Sequence, residues 1–264
     1  MREAPTGAPQ GELVVVKLGG TTLADQRAVL DEVAARAATD RIVLVHGGGK
    51  RLTEWLSRLG VESRFEGGLR VTDDAALEVA LAVLRGVINA ELVAILRSAG
   101  ADAVGLSGVD GGLLVAERIP SLGRVATVTG ARGALLATLL AAGALPVMAP
   151  LALDQDGVIC NVNADDAAAG LAGALGARLI LLTDTDGVRG ADGQRIARLT
   201  DRETEALIAS GVISGGMVPK VSCSLRALAW GAPETVIADG AAPGALSRAL
   251  DDPGFGTRSR TAGA

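Results

Sequence analysis

Two lysines and one aspartate stand beside glycine-rich segments in three separate parts of the sequence. Lys17 ends the first apolar run, Asp165 closes an Asn-Val-Asn-Ala-Asp stretch, and Lys220 follows Gly215-Gly216. Cations can neutralise a phosphoryl group in flight, and glycine turns let backbone N–H groups approach its oxygens. The combination indicates phosphoryl transfer to an acceptor that is already an anion, because no proton then has to be removed.

Each of these residues also has an ordinary structural explanation. Asp165 lies near a predicted helix start, where a carboxylate is favoured for capping alone. Lys17 points either to solvent or into a site, and Lys220 is either a surface residue or a phosphate ligand at a helix start. Asn161 and Asn163, two residues apart, would face one side of an extended segment, as carboxylate ligands or as turn formers.

The elements that must position these residues alternate between strand and helix. This alternation predicts an α/β protein, a three-layer α/β/α sandwich with a mainly parallel central sheet. We expect a boundary near Gly176, which divides the chain into an N-terminal lobe, 1–176, and a C-terminal lobe, 177–264. The tail Thr257–Ala264 is expected to fray. The predicted strands are Leu13–Lys17, Ile42–Val45, Val104–Leu106, Leu113–Glu117, Arg124–Thr129, Leu145–Ala149, Val158–Asn161, Leu179–Leu182 and a final parallel strand Thr235–Ala238. The predicted helices are Gln26–Ala38, Arg51–Leu59, Asp73–Arg85, Ala90–Ser98, Ala134–Ala142, Asp165–Leu175, Asp201–Ala209 and Val218–Trp230.

Composition narrows the classes of protein. Hydrophobic residues make up 49% of the 264 residues and aromatic residues only 2%, a composition typical of a parallel sheet covered by helices. The net charge of −5 without a basic stripe argues against nucleic-acid partners. Ala134–Leu145, the nearest candidate for a membrane span, is too short. Two cysteines and no apolar leader indicate a soluble cytoplasmic protein with reduced thiols and no membrane partner.

Common phosphate and hydrolase motifs are missing from the sequence. There is no Gly-x-x-x-x-Gly-Lys-Ser/Thr motif, no Gly-x-Gly-x-x-Gly after a strand and no Gly-x-Ser-x-Gly. His46 is the single histidine and cannot build a zinc site alone. Gly19-Gly20 and Gly47–Gly49, however, follow predicted strands, where open α/β sheets bind ligands.

Six short motifs follow one another along the sequence: Lys17–Gly20, Val45–Gly49, Gly68–Thr72, Asn161–Asp165, Leu181–Asp184 and Gly216–Lys220. In this order and at this spacing they resemble the N-acetylglutamate kinase family within the amino acid kinases. The similarity runs from about Leu13 to Thr257. Its Gly-Leu-Arg-Val-Thr and Asn-Val-Asn-Ala-Asp motifs are specific, whereas the Lys-Leu-Gly-Gly strand is shared across the wider amino acid kinase family.

The resemblance implies transfer of the γ-phosphoryl group of ATP to the side-chain carboxylate of N-acetyl-L-glutamate, in arginine biosynthesis. Lys17 and Lys220 would neutralise the transferring group, and Asp165 would pair with both. Gly19, Gly20 and Gly48 would donate backbone N–H groups. The substrate would be bound by Gly47, Gly48, Gly49, Arg70, Asn161 and Asn163.

The resemblance also implies that the N-terminal lobe 1–176 binds acetylglutamate and forms the dimer, and that the C-terminal lobe 177–264 binds ATP. Mg²⁺ would be held mainly by phosphates and water, so no protein ligand for the metal is assigned. The nucleotide would contact Lys17, Gly19, Gly20, Thr183, Asp184, Thr185, Asp186, Gly187, Val188, Arg189, Val212, Ile213, Ser214 and Lys220.

Two features depart from the family pattern. Gly67 stands where members often have an acidic residue or Asn before Gly-Leu-Arg. Only Met1–Glu12 precede the first strand, with Pro5 and Pro9, whereas arginine-inhibited members carry a longer N-terminal helix that joins dimers into a hexamer. We therefore expect a homodimer that is insensitive to arginine; whether a PII-type regulator binds is left open.

Two other functions compete with this one. An aminoadipate kinase of lysine biosynthesis, acting on a carrier-bound substrate, shares the fold and the lysines. Phe65–Asp73, however, retains the Phe-x-x-Gly-Leu-Arg-Val-Thr-Asp pattern, which favours acetylglutamate. Aspartate, glutamate, carbamate and uridylate kinases match the Arg70 and Asn161 motifs poorly. A non-catalytic ligand-sensing domain would explain the glycine turns but not both lysines with Asp165.

Overall fold

The computed structural model of the chain describes residues 9–19 and 26–261. Gly20, a predicted phosphate-binding residue, and residues 1–8 of the N-terminal segment lie outside the described residues. The strands of the described part are β1 (Leu13–Leu18), β2 (Arg41–His46), β3 (Arg64–Glu66), β4 (Leu69–Val71), β5 (Ala103–Ser107), β6 (Leu114–Arg118), β7 (Val125–Ala131), β8 (Leu145–Ala149), β9 (Leu151–Asp154), β10 (Ile159–Val162), β11 (Arg178–Thr183), β12 (Arg198–Thr200), β13 (Thr235–Asp239) and β14 (Thr257–Arg260).

Eight of these strands form one central sheet in the order β12-β14-β13-β11-β1-β2-β8-β5. Neighbouring strands are parallel except for β13 and β14, which are antiparallel. The continuous apolar runs of β1, β2 and β11 suit a sheet covered on both faces, where no side of the strand meets water. The predicted fold class is confirmed.

Helices cover both faces of this sheet. They are α1 (Arg27–Arg36), α2 (Gly49–Arg58), α3 (Asp74–Ala80), α4 (Asn89–Ser98), α5 (Ala134–Ala141), α6 (Ala164–Leu175), α7 (Asp201–Ala209), α8 (Met217–Ala229) and α9 (Ala245–Asp251). One core gathers side chains of α1 to α4 and α9 with Val14, Val16 and Leu18, and the other gathers those of α5, α6 and α8 with Val15. The alternation along β1 therefore sends successive side chains to opposite faces.

The predicted break between helices at Arg85 and Ala90 is wrong. A π-helical segment, Leu81–Ile88, joins α3 to α4 into one helix over Asp74–Ser98. Val83, Leu84 and Ile88 continue the buried stripe through Gly86, so tertiary burial outweighs the low helix propensity of glycine.

This long helix is apolar and long enough to cross a membrane by length and composition, which the prediction for Ala134–Leu145 overlooked. Its buried side chains, among them Leu92 and Leu96, pack in the core beside the central sheet. The core helix of a globular domain passes the same test of length and composition. Packing in the core therefore explains why this helix is so apolar.

A second, smaller sheet closes on itself through β6, β7, β9 and β10. Strands β6 and β7, predicted as Leu113–Glu117 and Arg124–Thr129, are both present and pair in antiparallel fashion. Strand β9 was not predicted, and it pairs with β10 in antiparallel fashion. This sheet sets the position of β10, which leads directly into α6.

The predicted fraying of Thr257–Ala264 is wrong for the described residues, and β13 is not the last strand. Strand β14 lies between β12 and β13, with Arg258 and Ser259 buried. Glu234 accepts hydrogen bonds at 2.8 Å from both Arg258 and Arg260. A polar segment is thus buried because its charges are paired. Strand β12 and helix α9 were also not predicted.

Candidate active site

The first lysine and the aspartate meet above the carboxyl end of β1. Alternation along β1 places Lys17 on the face of Val15, which is the face that α6 covers. Lys17 Nζ lies 2.6 Å from Asp165 Oδ1, and the two side chains are 12% and 13% exposed. A pair this sheltered holds its geometry better than an ion pair in open solvent.

Asn163, rather than Asp165, caps helix α6. Asn163 Oδ1 accepts a hydrogen bond of 2.7 Å from the backbone N–H of Asp165. The capping explanation for Asp165 is therefore wrong, and its carboxylate is available to Lys17. Asn161 does not share this role: its Nδ2 donates to Thr72 Oγ1 at 3.4 Å, a long contact.

Lys220 lies in the first turn of α8 and is half-buried. Within the described part of the chain it makes no ion pair within 4 Å, so Asp165 pairs with Lys17 and not, as expected, with both lysines. The positive charge of Lys220 nevertheless acts on the carboxylate of Asp184. The hydrogen bond from Thr183 Oγ1 (2.9 Å), the residue's own N–H and the charges of Lys220 and Lys17 lower the pKa of Asp184.

The predicted phosphate turns differ in what their glycines do. The N–H of Gly19 donates to Leu182 O at 2.9 Å in this structure, and its donation to a phosphate stays a prediction. A Cβ at Gly19 would lie 2.7 Å from Lys17 Nζ and 3.0 Å from Leu182 O, so a side chain there would crowd the ammonium group. The N–H groups of Gly48 and Gly49 have no partner among the described residues.

Gly47–Gly49 connects β2 to α2 against the π-helical segment. Gly47 donates its N–H to Leu18 O at 3.3 Å. Gly48 has φ +156°, and a Cβ there would lie 2.5 Å from Ile88 Cδ1. The turn places the N–H groups at the start of α2 at the carboxyl edge of the sheet, where β1 carries Lys17 as its penultimate residue.

Arg70 lies on the small hairpin of β3 and β4 and is buried. It donates to Gly49 O at 2.9 Å, to Thr53 Oγ1 at 2.7 Å and to Ser63 Oγ, and its guanidinium stacks 4.5 Å from the Phe65 ring centroid. Burial lowers the pKa of Arg70. The guanidinium is thereby fixed beside the Gly47–Gly49 turn.

The segment Thr183–Arg189 begins at the last residue of β11, at the same edge of the sheet. Thr183, Gly187 and Val188 are buried, and Asp184, Asp186 and Arg189 are exposed. Arg189 pairs with Asp186 at 3.1 Å, an exposed contact within the segment. The hydroxyl of Thr185 is buried without a hydrogen-bond partner in the described part of the chain.

Val212, Ile213 and Ser214 connect α7 to α8. Ile213 is buried and donates its N–H to Leu207 O at 3.1 Å. Ser214 is exposed, and its carbonyl accepts from Met217 N at 3.3 Å as α8 begins. This connection therefore sets where the first turn of α8, with Lys220, starts.

Several supporting residues were missed. Thr257 Oγ1 accepts from Val188 N at 2.8 Å and donates to Ile196 O at 2.6 Å, which ties β14 to the segment after β11. The Gly256-Thr257 pair after an apolar Phe255 was the signal that the tail re-enters the fold. Thr53 and Ser63, which hold Arg70, carry no comparable signal.

Few side chains at this edge of the sheet could transfer a proton or bind a metal ion. Burial lowers the pKa of His46 from 6.5 to about 4, so the imidazole is neutral near pH 7. In the described ranges no group of three or more His, Cys, Asp or Glu side chains could hold a metal ion. The chemistry of this edge, with its cations and N–H groups, therefore suits an anion.

Comparison with known proteins gives the class of this protein. The model of the amino acid kinase family matches residues 12–239. The chain belongs to the amino acid kinase family.

The similarity extends to particular members. An acetylglutamate kinase from Solibacter usitatus is 49% identical over 256 residues, covering 94% of this chain and 99% of that protein. An acetylglutamate kinase from Rubrobacter xylanophilus is 46% identical, with 95% and 98% covered. The resemblance stated from the motifs is confirmed.

Solved structures agree on the fold. N-acetylglutamate synthase from Neisseria gonorrhoeae, complexed with coenzyme A and N-acetyl-glutamate, has a TM-score of 0.80 at 24% identity, covering 96% of this chain and 60% of that one. Carbamate kinase from Giardia lamblia bound to AMP-PNP has a TM-score of 0.70 at 17% identity, covering 96% and 99%. At these identities the likeness concerns the fold alone.

Proposed function

We propose that this protein is an acetylglutamate kinase, which transfers the γ-phosphoryl group of ATP to the side-chain carboxylate of N-acetyl-L-glutamate. The products are N-acetylglutamyl 5-phosphate and ADP, in arginine biosynthesis. The observation that carries the proposal is the sheltered Lys17–Asp165 pair at the sheet edge, with Lys220 and Asp184 beside it. Relatives named acetylglutamate kinase that cover nearly the whole chain support it.

The acceptor needs no general base. A side-chain carboxylate is ionised at neutral pH, so it attacks the phosphorus directly while the leaving oxygen departs with ADP. Lys17 and Lys220 are proposed to offset the charge on the transferring oxygens, and Asp165 to orient Lys17. A neutral, buried His46 is consistent with a mechanism that moves no proton.

The acceptor is proposed to bind between the Gly47–Gly49 turn and Asn161. Arg70 would pair with a substrate carboxylate, and its contacts to Gly49 and Thr53 already orient the guanidinium. Free N–H groups at Gly48 and Gly49 would stabilise negative oxygens of the transferring group. Asn163, as the cap of α6, would act by fixing Asp165 rather than by touching substrate.

The nucleotide is proposed to lie along Thr183–Arg189 and Val212–Ser214. The buried hydroxyl of Thr185, which lacks a partner among described residues, fits a polar ligand at this place. Mg²⁺ would be held mainly by phosphates and water, where it neutralises phosphate charge. Asp184, held ionised beside two lysines, would keep their ammonium groups apart and oriented.

The alternatives have less support. Neither a carrier-bound aminoadipate substrate nor a ligand-sensing role appears among the names of the relatives given above. Activity on free acetylglutamate without a carrier protein would exclude the carrier-dependent aminoadipate kinase. Any turnover would exclude the non-catalytic ligand-sensing domain. We also propose that the enzyme works in the cytoplasm.

Phosphoryl transfer is tested by incubating the protein with ATP, Mg²⁺ and free N-acetyl-L-glutamate and trapping the acyl phosphate with hydroxylamine. We expect hydroxamate from the wild type and a loss of about 10²- to 10³-fold in kcat for Lys220→Ala, the usual cost of one preorganised contact to developing charge. Arg97→Ala, which alters an exposed ion pair (side chains 56% and 62% exposed), is the control. Absence of product, or unchanged turnover in Lys220→Ala, would refute the proposal.

A further inference from the structure

Helix α8 carries two polar side chains, on the turns that follow Lys220, which contact the start of α6. Cys223 is buried and its Sγ donates to the backbone carbonyl of Asp165 at 2.9 Å. Arg226 donates to the carboxylate of Asp166 and forms an ion pair with it. Spacings of three residues bring successive turns along one side of a helix. The backbone of α8 therefore links Lys220 to the contact that Cys223 makes with Asp165.

These contacts fix how far α8 extends beyond α6. Asp165 lies beside Cys223, and Gly173, two turns later, lies against Trp230. The two helices thus run in the same direction, and a Cβ at Gly173 would collide with Trp230. Lys220 precedes Cys223 by three residues, which at 1.5 Å per residue is about 4.5 Å along the axis. Lys220 thereby projects past the start of α6, above Asp165.

The Arg226–Asp166 pair is partly sheltered from solvent. The side chains are 35% and 18% exposed, compared with 56% and 62% for the surface pair Arg97–Asp102. Burial raises the pKa of Asp166, whereas Arg226 lowers it and neighbouring Asp165 raises it further. Without Arg226, Asp166 would repel Asp165 with no cation beside it. The Arg226–Asp166 pair therefore affects the charge next to Asp165, whose carboxylate orients Lys17.

We propose that Arg226 is a positioning residue for Lys220, which sets the axial position of α8 through Asp166. Lys220 makes no ion pair among the described residues, so the location of its ammonium depends on the backbone of α8. A small shift of α8 would move it off the transferring phosphoryl group. The inference rests on the proposed kinase function.

The first test measures kcat and KM separately for Arg226→Met in the purified full-length enzyme. We expect kcat to fall about tenfold and KM for N-acetyl-L-glutamate to stay within about twofold, because misplacement acts on the transition state. Arg226→Lys should recover part of kcat. Arg97→Met, a matched loss of guanidinium from an exposed pair, should keep wild-type kcat.

The second test asks whether Arg226 acts through Lys220. In a Lys220→Ala background, Arg226→Met should lower kcat by less than about twofold further, since residues that act as a unit are not additive. Asp166→Asn, which keeps the shape of the side chain, should reproduce the kcat loss and is measured with circular dichroism as a check of folding. Unchanged kcat in Arg226→Met and Asp166→Asn, or fully additive losses in the double variant, would overturn the inference. An inactive wild type would instead refute the proposed function.

Discussion

His46 is the single histidine of the sequence, and its environment explains why it remains neutral. Its ring is 2% exposed, Nδ1–H donates to Gly47 O at 2.7 Å, and Nε2 accepts from Asn89 Nδ2 at 3.1 Å. Asn89, fully buried, also donates to Val147 O at 2.8 Å. The imidazole therefore ties the Gly47–Gly49 turn to the long helix and to β8. Protonating it would break one of these hydrogen bonds.

This environment predicts a pH dependence of stability. The folded pKa of His46 is about 4 and its ordinary value is 6.5, so the unfolded chain binds more protons between these values. The contribution of the neutral His46 to the free energy of unfolding is fully present above pH 6.5, the ordinary pKa. It is lost as the pH falls towards about 4, the pKa in the folded protein. Between about pH 7 and about pH 5 we expect His46 to cost about 2 kcal/mol. Urea unfolding at fixed protein concentration measures this.

The variant His46→Gln is the comparison, because glutamine keeps a polar group without titrating. Its free energy of unfolding should fall less than that of the wild type over the same pH interval, by about the amount assigned to His46. Equal losses in both proteins would contradict the assignment of the pH dependence to His46.

At the scale of elements, β14 supports the segment proposed to bind ATP. Thr257 accepts from Val188 N and donates to Ile196 O, and both contacts are inaccessible to water because Thr257 is 1% exposed. Gly187, at φ +138°, fits against Thr257 without a side chain. The chain that returns after α9 thus holds a segment about seventy residues earlier in the sequence.

We predict that Thr257→Val raises KM for ATP several-fold, leaves KM for N-acetyl-L-glutamate unchanged, and destabilises the fold by about 1–3 kcal/mol, the usual cost of an unsatisfied buried N–H. Thr235→Val is a matched control, since the Thr235 hydroxyl is buried without a hydrogen-bond partner in the described residues. That control should retain stability and both KM values. Equal effects in the two variants would argue against a role for the Thr257 hydroxyl.

At the scale of the molecule, one sheet runs through both predicted lobes. Strand β1 of 1–176 pairs with β11 of 177–264, so the two parts share the edge at which the site lies. The division into lobes stays a prediction. Any relative movement would have to occur around this shared sheet.

The oligomeric state also stays a prediction, based on the family resemblance. We expect a homodimer of the 26.4 kDa chain. Light scattering after gel filtration measures the mass in solution. A hexamer would contradict this expectation.

The sequence alone determined the fold class and the family, and it supplied the residues proposed for the site. Apolar runs such as Leu13–Lys17 predict buried parallel strands because a strand covered on both faces has no polar side, and the motifs around Lys17, Asp165 and Lys220 carry the family. Only the tertiary structure decided that Asn163 caps α6 and Asp165 pairs with Lys17, that Gly19 donates to Leu182, and that β14 enters the sheet. Local patterns report which side chains are buried. Partners distant in the chain decide which hydrogen bond each polar group makes.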